Sequence, residues 1–237
     1  MSSVVAEPPV PPPTPPAAPS FDFVKPLTFV FDDPRWVQKV LIGGLFIIAS
    51  MFIIGIFFLL GYFARLARNV IRGDQQPLPE WDDLAEYFGE GARLFVVGLV
   101  YVIPLLIVAA IIVVPLAVAG SASDNETIRS MAGMSVTCAW CLIFPIGLCM
   151  SLWMPAAFLM VIVKGDFKAG FEFRHIFTFI RANVGNYLLS FLVAIVAGFA
   201  SQLGIILLCI GVIFTAFWAR TVAIYAFAQT YRLASVR

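Results

Sequence analysis

Long apolar stretches separated by short charged, aromatic-rich segments set the pattern of the chain. Val40–Ala64, Leu94–Ala119 and Met131–Val163 contain no Asp, Glu, Lys or Arg, and Tyr187–Leu233 carries only Arg220 within it and Arg232 near its end. A helix rises 1.5 Å per residue, so about 20 such residues cross a hydrocarbon core of roughly 30 Å. The strict polar and apolar alternation of a membrane barrel strand is absent, which leaves helices as the spanning element. The pattern therefore predicts an all-α, polytopic membrane protein with four to five spanning helices. Met131–Val163 is too long for one upright span, which predicts a kink at Pro145 or Pro155. The last stretch is long enough for two spans, 187–209 and 214–233. Its turn is expected near Cys209–Phe214, with Gln202–Gly204 as the earlier alternative.

The segments between these runs are amphipathic. Asp33 followed by Pro34 reads as an N-cap and first helical position, opening a surface helix over 33–39. Past Ala64 the first helix continues through Arg65, Arg68 and Arg72 on one face and stops at Gly73. Over 80–90, Trp81, Leu84, Ala85 and Phe88 share one helical face, and Asp82, Glu86 and Glu90 another. Over 169–183, Phe173, Ile176, Phe177 and Ile180 group together, with Glu172, His175 and Arg181 away from them. Both segments have the character of helices lying in the membrane interface. The chain thus reads as three units of surface helix plus apolar stretch, starting near Asp33, Glu80 and Ala169, within one helical membrane domain over residues 21–237. Residues 1–20, with eight prolines, form a disordered tail that cannot bury a core. Such a tail is a spacer, or a ligand for an aromatic groove on a protein partner. No cleavable signal is expected, because a proline-rich tail rather than a short basic start precedes the first run.

Lys and Arg collect on the cytoplasmic side. If Val40–Ala64 spans once, the basic residues divide between the two sides. If it dips in and returns with its turn at Ser50 or Gly55, every basic residue except Arg129 lies on one side, and the three units become alike. The charge bias favours re-entry.

Composition agrees with this picture: of 237 residues, 61% are hydrophobic and 12% charged, with a mean hydropathy of +0.97. A net charge of +1 supplies no field for nucleic acid. The four cysteines sit in apolar runs, and Cys138-x-x-Cys141 lacks the second pair that a zinc site needs. No cofactor or metal is expected.

The string Trp36-x-x-Lys39, Leu41-Ile-Gly-Gly44, Gly61-Tyr62-x-x-Arg65-x-x-Arg68, Gly73 and Leu78-Pro-Glu-Trp-Asp-Asp83 resembles the domain of unknown function 4013 family. Weaker matches at Pro155-Ala, Gly165-Asp-Phe, Phe171-x-Phe, Asn186-Tyr and Gln229-x-Tyr231 extend the likeness over nearly everything after residue 25. The resemblance implies a prokaryotic polytopic protein of the inner (cytoplasmic) membrane and carries no mechanism.

Arg65, Arg68 and Arg72 face the carboxylates Glu80, Asp82, Asp83, Glu86 and Glu90, and three readings are open. Opposite charges pair and hold the loop; the arginines bind lipid phosphate, which suits their planar forks; or the carboxylates hold a hard divalent cation. Arg220 is an intramembrane charge and so a functional candidate, although it can also snorkel or cap carbonyls. His175, the only histidine, sits on a polar helix face without partner motifs for catalysis. The small residues Ser190, Ala194, Gly198 and Thr215, Ala219, Ala223 predict close helix packing. Carboxylates are absent from the apolar runs, which argues against a proton-coupled carrier. The leading reading is a membrane module that binds lipids or a protein partner and is not an enzyme. A small-molecule or lipid transporter is the alternative, and a metal-dependent lipid enzyme is the third.

Overall fold

The computed structural model describes residues 20–206 and 211–236. The proline-rich tail lies outside the described residues, apart from Ser20. Helices make up most of the described residues, no strand occurs among them, and five helices are long and apolar enough to cross a membrane. This is the architecture of an all-α, multi-pass membrane protein. Phe144, Phe199 and Ile111 are 71%, 75% and 68% exposed, which suits a hydrocarbon solvent and no aqueous one.

The short helix α1 (Lys25–Thr28) belongs to an N-terminal segment whose Phe21, Phe23 and Leu27 pack on a later helix pair. Helix α2 (Trp36–Ala49) begins three residues after Asp33 and has no side-chain cap. The expectation of a surface helix capped by Asp33 is therefore corrected. Asp33 Oδ1 accepts from the Arg35 N–H at 2.8 Å, and its other oxygen is engaged by Lys39.

The first apolar run is two helices. After α2 the chain makes a 3-10 turn over Ser50–Phe52 and enters α3 (Ile54–Arg72) through Ile53 at φ 66°. A β-branched residue in that region costs roughly 1–2 kcal/mol, so packing on either side must hold the turn. The two ends of the run come back together: Trp81 Nε1 donates to the Lys39 carbonyl at 3.1 Å, and Lys39 Nζ donates to the Leu78 carbonyl at 2.9 Å. The 14 residues of α2 rise only about 21 Å, short of a full crossing.

Helix α4 (Leu84–Ser121) runs unbroken from the segment expected to be a separate surface helix into the second apolar run. Residues 80–83 are not helical, and Asp83 caps α4 by accepting from the Glu86 N–H at 3.0 Å. Nothing between Glu90 and Leu94 stops the helix. Gly91, the one candidate breaker, is instead a packing notch. A Cβ on Gly91 would lie 1.6 Å from the Phe57 carbonyl oxygen, and one on Gly61 would lie 1.9 Å from that of Tyr87, so α3 and α4 cross backbone to backbone.

Helix α5 (Glu126–Lys164) is also continuous, with Pro145 and Pro155 inside it. Next come a 3-10 turn over Phe167–Phe171 and α6 (Phe173–Ala182), which starts four residues later than the expected surface helix. Helix α7 (Val184–Gln202) ends in a 3-10 turn over Leu203–Ile206, and α8 (Gly211–Ser235) is already formed at Gly211. The chain thus leaves α7 at the earlier of the two turn positions, and of the Cys209–Phe214 alternative residues 209 and 210 lie outside the described residues. Ser190, Val193, Ala197 and Ser201 are buried along α7 against Ala219, Val222, Ala226 and Thr230 of α8. Ser190 Oγ and Thr230 Oγ1 meet at 2.8 Å, and Thr215 Oγ1 donates to the Ser201 carbonyl at 2.7 Å. The stripe expected at every fourth residue is corrected, because a 3.6-residue period drifts away from it. A Cβ on Gly198 would meet nothing within 4 Å.

Reporter fusions test the return of the first run. Fusions at Ser20 and Asn125 are expected to report opposite sides of the membrane; the same side for both would mean that Val40–Ala64 crosses.

Candidate functional site

Residues 74–83 connect α3 to α4 without helix, so their backbone groups need partners from elsewhere. Side chains supply them. Asn69 Nδ2 donates to the Pro77 carbonyl at 2.9 Å, Tyr62 Oη to that of Pro79 at 3.1 Å, and Tyr87 Oη to that of Glu80. The Trp81 ring lies between Tyr62, at a centroid distance of 4.1 Å, and Phe46, at 4.7 Å. Trp81 is therefore part of the core and not the apolar face of a surface helix.

Lys39 sits beneath this connection, 3% exposed and beside an equally buried Asp33. Its ammonium meets Asp33 Oδ2, the Leu78 carbonyl at 2.9 Å and Glu80 Oε1 at 2.6 Å, which occupies all three donors. Arg35 reaches Glu80 from outside at 2.7 Å. The sequence marks Lys39 only as a basic residue and as one position of the family-like string Trp36-x-x-Lys39. Its i−6 relation to Asp33 spans a turn and matches no helical pairing rule.

The arginines and carboxylates singled out in the sequence are brought together, largely as pairs. Arg65 binds Glu86, Arg68 binds Glu90, and Arg72 holds Asn69 Oδ1 and approaches Asp74 Oδ2 at 3.4 Å. Glu80 belongs to Lys39 and Arg35, and Asp83 caps α4. Among the described residues Asp82 is the one member of the cluster with no ion pair or hydrogen bond, and no three His, Cys, Asp or Glu side chains converge as a metal site would need. A cavity of about 300 Å³ between these groups is lined by both signs of charge, including Lys39, Arg65, Arg72, Glu80 and Asp82.

Other candidates stand apart. Arg220 is exposed on α8 with no hydrogen-bond partner among the described residues. Cys138, Cys141 and Cys149 are free and exposed. His175 is exposed, with Nδ1 3.9 Å from Glu172. It opens onto a feature that the sequence did not reveal, a groove of about 610 Å³ where the C-terminal ends of α5 and α8 meet the polar face of α6. No local motif marks such a site, because its α8 wall, at Tyr231, stands far along the chain from Lys164 and Arg174.

The family model for proteins of unknown function DUF4013 matches residues 44–210. The chain belongs to the DUF4013 family. Comparisons with curated proteins and with solved structures give no match. Within the matched segment, the part of the family-like string from Gly61 to Asp83 is the α3 face and the connection that its side chains pin in place.

Substitutions separate the buried pair from the half-buried ones. Lys39→Met, which strands the Asp33 carboxylate, is expected to cost about 3 kcal/mol or more, and Arg65→Ala less than about 1 kcal/mol. Thermal unfolding in detergent reads the difference, and equal losses would contradict the central place of Lys39. Gly91→Ala is expected to abolish the folded, monodisperse protein in size-exclusion chromatography.

Proposed function

We propose that this DUF4013 protein is a non-enzymatic module of a prokaryotic cytoplasmic membrane that binds anionic phospholipid at its inner face. The observation that carries this reading is α6. Phe173 and Phe177 are 57% and 56% exposed on a helix anchored by the fully buried Ile176, while Arg174 and the nearby Lys168 are exposed beside them. Uncovered aromatics flanked by cations suit a helix lying among headgroups. The returning path of α2 and α3 adds support, since it leaves Arg129, in the first turn of α5, as the one basic residue at the α4–α5 end and gathers the other basic segments on the opposite side.

Arg65, Arg68 and Arg72 contribute to the positive face, but their carboxylate partners leave them less able to select an anion. Arg72, 62% exposed at its side chain, is the freest of the three. The carrier reading has less support, because α5, α7 and α8 place no carboxylate within their apolar stretches. An enzyme would need an acid and base near one another and unpaired, and Asp82 stands alone in that respect.

Protein equilibrated in micelles holding equal phosphatidylglycerol and phosphatidylcholine, then released for native mass spectrometry, is expected to carry phosphatidylglycerol in clear excess. Equal retention of the two lipids would refute anionic selectivity.

A further inference from the structure

The described charged residues lining the groove between α5, α6 and α8 have one sign. Among the described residues Lys164, Arg174 and His175 line it, and no Asp or Glu does. Glu172 at the rim binds Lys164 and approaches His175 at 3.9 Å, so part of that charge is answered within the protein. Arg174 is not answered: its guanidinium has no ion pair or hydrogen bond among the described residues. The Tyr231 hydroxyl on the α8 wall is likewise without a hydrogen bond among the described residues. By contrast Thr178, Asn183 and Ser235 donate to carbonyls of their own helices. Arg174 and Tyr231, both free to donate into the groove, thus stand on different helices. Met160 and Phe179 supply apolar wall, and the volume lies in the range of small-ligand sites.

We infer that this groove is a binding site for a phosphate ester, with Arg174 as its principal anchor, Tyr231 as a second donor and Lys164 released from Glu172 to complete the charge. A planar guanidinium binds a phosphate through two parallel hydrogen bonds, and each charge-assisted bond is about twice as strong as a neutral one. The inference rests on the lipid-binding reading and names its site. The same chemistry would recognise a soluble glycerol phosphate, so both sources enter the test.

The full-length protein is compared with Arg174→Ala, Arg174→Lys, and Arg181→Ala, which removes a charge from the same helix outside the groove. Two probes are used: phosphatidylglycerol competition against phosphatidylcholine by native mass spectrometry, and sn-glycerol 3-phosphate by calorimetry. Because Arg174 is exposed and unpaired, all variants are expected to elute and melt like the wild type. Arg174→Ala is expected to weaken phosphatidylglycerol retention about tenfold, the weight of roughly one charge-assisted contact, with Arg174→Lys intermediate and Arg181→Ala close to wild type. Phosphatidylglycerol excess that survives Arg174→Ala, or falls equally with Arg181→Ala, would overturn the groove and leave lipid selectivity standing. Glycerol phosphate binding that needs Arg174, in a protein without lipid selectivity, would support the groove and refute the lipid reading. Binding of neither probe by the wild type would overturn both.

Discussion

A buried ammonium must place three protons, and Lys39 places them on an N-terminal carboxylate, a carbonyl of the connection and a second carboxylate. Those three acceptors come from segments 33, 78 and 80, so one cation ties the entry of α2 to the exit of α3. The tie closes the first apolar run on itself. A carboxylate and an ammonium at 4% exposure or less are unfavourable to bury singly, and removing one strands the other. The pair therefore enforces the return of the chain more strictly than apolar packing, which tolerates sliding.

From that tie the rest of the bundle follows. With Lys39 beside Leu78, Trp81 is carried between Tyr62 and Phe46, and the ring stack fills the space between α2 and α3. Phe217 of α8 lies 5.5 Å from Tyr62 and 5.9 Å from Phe63, which seats α8 against the same stack. Gly61 and Gly91 let α4 approach α3 to backbone contact, and this brings Glu86 and Glu90 within reach of Arg65 and Arg68. These half-buried ion pairs are thus consequences of the crossing, formed once the backbones have met.

Much of this architecture was legible in the sequence, and the parts that were not have physical reasons. Apolar runs announce themselves by length, so the helical membrane fold follows from composition alone. The turn at Ser50–Ile53 is harder to see, because no proline or glycine pair marks it and its strained residue is an isoleucine. Charge bias across the whole chain, not local sequence, pointed to the return. Helix boundaries at 90–94 were misjudged because a change from amphipathic to wholly apolar character is not a stop signal; α4 continues through it. The pairing of Arg65 and Arg68 with carboxylates was foreseeable from opposite charge at a surface. The groove at α6 was not, since Lys164, Arg174 and Tyr231 acquire a common site only through tertiary packing.

Irregular backbone in a membrane protein survives only where protein groups satisfy it. That constraint explains why the most distinctive motif of this chain holds no evident chemistry. Tyr62, Asn69, Trp81 and Tyr87 spend their polar atoms on carbonyls of the 74–83 connection or of Lys39, and Arg65 and Arg68 each hold a neighbouring carboxylate. Side chains committed in this way cannot also bind a ligand without releasing the backbone they hold. The long helices α4 and α5 satisfy their own backbone and need no such motif. A ligand site is then to be sought where polar groups remain uncommitted, and Arg174 with Tyr231, outside the pinned connection, meets that condition.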